Sequence, residues 1–350
     1  MSFAQVFSDE PIEKRRKTVG ICMILVLANA LAWTWALLEL ADRPVLFATT
    51  FLAYTFGLRH AVDADHIAAI DNVVRKLMQE GKRPLSVGFF FSLGHSTVVV
   101  LATIGIAATA AMLQSRFESL KALGGVISTS VSIFFLLTIA AVNLMILISV
   151  WRSFQQVRRG HRLEFEHLDM LFAGRGLLAR LFKGTFRIIT KSWHMYPLGF
   201  LFGLGFDTAT EIGLLGFSAA QVMQGMSLWS MLIFPALFTA GMVLVDTIDG
   251  ILMVGAYGWA FANPIRKLWY NLTITAMSVT IALLVGGIEA LGLLAEKLGI
   301  KGSFWVAASD LNASLGTFGF VVIAAFIICW VVSALIYRYK GYEQLGPWTP

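Results

Sequence analysis

Eight apolar runs, each roughly 20 residues or longer, set what this 350-residue chain can become. They cover residues 19–39, 45–72, 85–112, 125–151, 196–220, 228–256, 270–294 and 314–337. A helical run of that length crosses a hydrocarbon core about 30 Å thick. Backbone groups in lipid must find partners within their own segment, which favours helices. The expected fold is therefore an all-α integral membrane protein, a bundle of about eight transmembrane helices. Charged residues are 14% of the chain, where soluble domains carry about 25%. The net charge of +6 then records topology and gives no reason to expect a nucleic-acid partner.

The basic residues orient the spans. With the N-terminus in the cytoplasm, 21 of the 27 Lys and Arg fall in inside segments and 5 in outside ones, leaving Arg59 within a span. This split predicts a multi-pass protein of the cytoplasmic (inner) membrane with both termini cytoplasmic. The chain divides into a cytoplasmic segment (1–18), helices 1–4 (19–151), a basic cytoplasmic loop (152–195), helices 5–8 (196–337) and a cytoplasmic tail (338–350). The run from Val19 is too long for the apolar part of a cleaved signal and should remain as a span. FGL occurs at 56–58 and 202–204, and F-x-x-G at 91–94 and 238–241, with offsets of 146 and 147. Two halves of four helices each would share one orientation, with any pseudo-twofold axis along the membrane normal.

The segment FGLRHAVDADHIAAIDN, Phe56 to Asn72, places an arginine, two histidines and three aspartates within the second run. A charged group at mid-membrane costs roughly 2.5–3.5 kcal/mol on insertion scales, so such groups face the bundle interior and need partners. His60, Asp63 and His66 are three apart and form one drifting stripe on a helix. Arg59 falls within the stripe and can neutralise a carboxylate. Asp65 points away from His60 on a regular helix, so it faces another helix or the helix is distorted there. Other spans bring polar groups to similar depth. These are His95 in span 3, Asp207, Thr208, Thr210 and Glu211 in span 5, and Asp246, Thr247 and Asp249 in span 6, with Asn29 in span 1.

Three imidazoles and six carboxylates suit a divalent transition-metal ion better than magnesium or calcium. Cys22 and Cys329 show no metal-ligand spacing and read as buried thiols. The loop stretch HRLEFEHLD offers His161, Glu164, Glu166, His167 and Asp169, and reads as a solvated charged segment. There is no GxxxxGK[ST] motif for nucleotide hydrolysis, no HExxH and no GxSG. An intramembrane metalloenzyme or a metal sensor is the alternative to a transporter. Six histidines in all are few for a metal pair, and no output domain is recognisable.

RHAVDADHI (59–67), FSLGHSTVV (91–99), LGFDTATE (204–211) and GMVLVDTID (241–249) resemble, in order, the four signature motifs of the nickel/cobalt transporter family, NiCoT. The resemblance covers essentially the whole chain. It implies an eight-helix secondary permease, not an enzyme, with no cofactor and with Ni2+ or Co2+ as the transported substrate. By position it implies a metal path through His60, Asp65 and His66, with His95 from the second motif and Asn29 near them. Val62 stands where the family varies and leans towards nickel. The expected metal-handling set is thus His60, Asp63, Asp65, His66, His95 and Asn29. Arg59, Asp207, Thr208, Glu211, Asp246 and Asp249 are expected along the transport path.

Overall fold

The computed structural model describes residues 14–109, 114–158, 189–204, 211, 214, 218, 226–260, 264–300 and 302–340. All regular structure among them is helical. The helices are α1 (Lys14–Leu40), α2 (Pro44–His60), α3 (Ala64–Gln79), α4 (Val87–Thr109), α5 (Gln114–Arg158), α6 (Met195–Phe202), α7 (Leu228–Met231), α8 (Ile233–Ala260), α9 (Pro264–Leu298), α10 (Ser303–Ala313) and α11 (Leu315–Tyr339). Among the described residues, six stretches are long and apolar enough to cross a membrane: Arg16–Leu40, Val87–Gly105, Gly125–Arg152, Leu228–Gly258, Trp269–Leu298 and Phe318–Tyr339. The pair α2 and α3, bent by 52°, makes a seventh if taken as one span. Most of the run expected over 196–220 lies outside the described residues, as do the loop residues His161 to Asp169.

α8 is the centre of the bundle and packs against α1, α2, α3 and α4. α9 lies along α5 and also meets α3 and α11. The outer helices turn apolar side chains outward, as Leu27, Leu31, Ile328 and Leu335 do. Cys22 is exposed on that outer face and Cys329 is half-buried. The expectation of two protein-buried thiols is therefore corrected: a lipid-facing position satisfies an apolar thiol as well as a core does.

The second expected span is not one helix. α2 begins with Pro44 in its first turn, where the missing N–H removes no bond. It ends at His60, and the chain turns over 61–63 before α3 begins. Asp63 is the N-cap of α3, with φ −67° and ψ 146°. The backbone stays satisfied across the break, since Val62 N–H donates to Arg59 O at 3.1 Å and Asp63 N–H to His60 O at 3.0 Å. α11 crosses directly over the break at Gly319. A methyl group there would collide with the Val62 carbonyl.

α3 then continues to Gln79, seven residues beyond the expected limit, and 12 of its 16 residues are buried. One of them is Arg75, 1% exposed. Arg75 is one of the 21 basic residues that the sequence places in inside segments, beside Lys76, Lys82 and Arg83, and its side chain belongs instead to the interior. Arg59 is therefore not alone among basic residues inside the bundle. Lys17 is also buried, at 1%.

The recurring motifs meet at two close helix crossings. Gly57 of the first FGL lies against the carbonyl of Phe238, and Gly241 of the second F-x-x-G lies against Tyr54 O. Gly203 of the second FGL lies against His95 O, and Gly199 against the carbonyl of Phe91 in the first F-x-x-G. Each FGL helix thus packs on the F-x-x-G helix of the other half. Small residues let the backbones approach this closely.

Candidate metal centre

The break in the second span brings its two histidines together. On a continuous helix, six residues separate His60 and His66 by about 9 Å along the axis. Here their ring centroids are 4.7 Å apart, one ring at the end of α2 and the other in the first turns of α3. The stripe expected on one regular helix is thus replaced by two helix ends folded towards a common point. α4 supplies His95, whose ring lies 4.7 Å from His60 and 5.0 Å from His66. The three imidazoles are 2%, 0% and 4% exposed for His60, His66 and His95.

One nitrogen from each ring falls within 4.8 Å of the others. Imidazole nitrogens about 2.0–2.1 Å from one ion sit roughly 3–4 Å apart. His60 Nε2 and His95 Nε2 are already at 3.0 Å. Glu211 adds a carboxylate oxygen 2.8 Å from His95 Nε2 and 3.9 Å from His60 Nε2. Phe91 packs edge-on against His66 at 4.8 Å, and Phe238 lies 5.6 Å from His60. These rings exclude water and fix the imidazole planes.

Carboxylates set the direction of two of the rings. His60 Nδ1 lies 3.0 Å from Asp63 Oδ2, and Arg59 pairs with the other oxygen of Asp63. Asp63 makes no capping hydrogen bond because both oxygens are engaged this way. His66 Nδ1 lies 3.2 Å from Asp246 Oδ2, which also accepts from Ser92 Oγ at 2.5 Å. With each Nδ1–H donating to a carboxylate, each Nε2 presents its lone pair to the cluster. His66 Nε2 is buried and has no partner among the described residues. An unsatisfied buried nitrogen carries a desolvation penalty of about 1–3 kcal/mol, which an incoming metal ion would offset.

The remaining expected residues divide. Asp65 is half-buried in the first turn of α3 and makes no hydrogen bond to another described side chain. Asn29 donates to Leu25 O at 2.9 Å and Ala240 O at 3.4 Å, and accepts from Tyr54 Oη at 2.9 Å. Its amide is thus spent on joining α1, α2 and α8. Asp249 lies one turn beyond Asp246 on α8, with its Oδ2 buried and without a partner among the described residues. Asp207 and Thr208 lie outside the described residues. Arg59 keeps 34% of its side chain exposed and meets Asp63 through one guanidinium nitrogen.

The sequence reading missed Ser92, although it stands inside FSLGH. It also missed Asp71, Asn72 and Arg75; the i, i+4 spacing of Asp71 and Arg75 and the i, i+3 spacing of Asn72 and Arg75 could have marked an interior face of α3.

The family model described as "High-affinity nickel-transport protein" matches residues 46–336. The chain belongs to that family. It is 56% identical over 330 residues to the "High-affinity nickel transport protein" of Cupriavidus necator, covering 94% of each chain. It is 46% identical to the "Nickel transporter NixA" of Staphylococcus aureus, covering 92% of this chain and 94% of that one. It is also 39% identical to the "Cobalt transport protein NhlF" of Rhodococcus rhodochrous, covering 94% of each. No solved structure matches this chain. The family's description is of transport, and a metalloenzyme has no support in it.

Proposed function

We propose that this protein imports nickel(II) and/or cobalt(II) across the cytoplasmic membrane as a secondary permease. The convergence of His60, His66, His95 and Glu211 inside a membrane bundle carries the reading. The donors come from three separate stretches of the chain and are buried, and the set matches the preference of imidazole for late first-row divalent ions. The NiCoT relatives carry nickel and cobalt names in turn. The membrane potential, inside negative, supplies about 4.6 kcal/mol per 100 mV to a doubly charged ion moving inward.

The test is uptake of radiolabelled nickel by cells expressing the protein, with competing cobalt, zinc and manganese, with and without a proton uncoupler. Nickel should accumulate above the vector control and cobalt should compete best. Accumulation equal to the control would remove the import reading.

We infer eight spans with both termini cytoplasmic. Reporters fused after Tyr339 or within 155–190 should report cytoplasm, and those near Lys121 or Lys301 the outside. The basic split supports this: with Lys17 and Arg75 set aside as buried, 19 inside residues still stand against 5 outside. An external signal from the 155–190 loop would reverse the topology. The motif offsets relate the second span to the fifth and the third to the sixth. A shift of three spans reverses direction, so the repeat reads as inverted, with its axis in the membrane plane. The four-plus-four division along the membrane normal is not the relation these motifs carry. The reciprocal FGL and F-x-x-G crossings support the inverted arrangement, which commonly places a substrate site between the repeats at a broken helix.

A further inference from the structure

A second buried polar network follows the histidine cluster along α3. Asp71, fully buried, accepts a hydrogen bond from the Tyr257 hydroxyl of α8 and another from Ser278 Oγ of α9 at 2.6 Å. One turn on, Arg75 donates to Thr275 Oγ1 of α9 at 2.8 Å and to Asn72 Oδ1 at 3.0 Å. Asn143 of α5 donates to the same Asn72 oxygen at 2.7 Å. At the end of α3, Gln79 donates to Asn271 Oδ1 at 3.0 Å. The half-helix that carries His66 is thus tied by polar groups to α5, α8 and α9.

Stability alone does not explain this seam. Replacing both partners of a buried hydrogen bond by apolar groups of the same shape can be nearly neutral or stabilising. The seam also leaves Arg75 Nε, Asn271 Nδ2 and the nearby Asp249 Oδ2 without partners among the described residues. What hydroxyl-to-carboxylate bonds provide, and apolar contacts do not, is exchange: water or a hydrated cation can take the places of Tyr257 and Ser278 on Asp71. The other end of the same half-helix is the turn at 61–63, where the chain already bends by 52°. α3 therefore has a hinge beside the histidines and an exchangeable fastening beyond them.

We propose that Asp71, Tyr257 and Ser278, with Arg75, form a latch that holds α3 closed against α8 and α9. Its release opens the route by which the divalent cation leaves the histidine cluster. While the latch is shut, the Arg75 charge stands one turn beyond Asp71 as an electrostatic barrier to a cation. Once it opens, the Asp71 carboxylate is freed to face the departing ion. On the topology proposed above this is the cytoplasmic side, and the inference rests on the import reading.

The test uses the full-length chain with Cys22→Ser, Cys329→Ala and a reporter Val74→Cys, since Val74 is fully buried on α3 three residues beyond Asp71. A membrane-impermeant maleimide is added to the cytoplasmic face of inside-out vesicles. Tyr257→Phe and Ser278→Ala should each raise the labelling rate about 10-fold, the change that corresponds to one hydrogen bond to a charged group. The double variant should exceed either, and efflux of preloaded nickel should rise with it. Rates unchanged in both single variants would overturn the latch. So would a rise of equal size from the external face, which signals general loosening. Labelling reads the opening of α3 whatever ion is carried. Failure of the parent protein to take up nickel would therefore strike the import reading and leave the latch test standing.

Discussion

Replacing His60, His66 or His95 with alanine should abolish nickel uptake, while protein in the membrane should stay near the normal amount. All three rings contribute a nitrogen to one buried cluster, and an ion held by two imidazoles and a carboxylate in a water-poor site loses a large part of its coordination. Alanine is well tolerated in a helix, so insertion should survive. Glu211→Gln should fall in the same class, because its carboxylate oxygen lies 2.8 Å from His95 Nε2 and no other carboxylate contact to that nitrogen is seen among the described residues. Initial uptake rate per folded transporter, with His161→Ala and His167→Ala as loop controls, checks this. Essential loop histidines with dispensable span histidines would remove the intramembrane site.

Asp246→Ala should lower uptake by about 10- to 100-fold, the loss typical when the carboxylate behind a metal-binding histidine is removed. Asp246 touches His66 through Nδ1, on the side of the ring away from the cluster nitrogen. Its removal frees the ring to turn and leaves Ser92 Oγ only the Gly88 carbonyl, 2.9 Å away, as acceptor. Asp246→Asn keeps an oxygen that can accept from His66 and should lose less. Ser92→Ala should lose least, since the carboxylate itself remains. The loss should fall mainly on apparent metal affinity. A drop in maximal rate with affinity intact would assign Asp246 to the passage of the ion and not to the placing of His66.

The spans were legible because hydropathy is a local property. Every long apolar helix among the described residues overlaps a run read from the sequence. The hinge was not legible, because Ala61, Val62 and Asp63 include neither proline nor glycine. What accompanies the end of α2 is a local clasp of the Asp63 carboxylate by Arg59 and His60, together with a tertiary contact in which α11 closes over the Val62 carbonyl at Gly319. The histidines could be named from their motif and depth. Their orientation could not, since His66 depends on Asp246, 180 residues away. Arg75 was misplaced for the opposite reason. Its sequence neighbours are loop-like and basic, while its partners Thr275 and Asn72 lie on the inward face of α3 and α9.

The most direct test is nickel K-edge X-ray absorption on the purified, nickel-loaded protein. The expected spectrum shows the scattering of about three imidazoles with nitrogens near 2.0–2.1 Å, the range usual for imidazole on zinc. In His66→Ala it should fall to two. A shell of oxygen scatterers alone, or an imidazole count unchanged in His66→Ala, would contradict a site built from His60, His66 and His95.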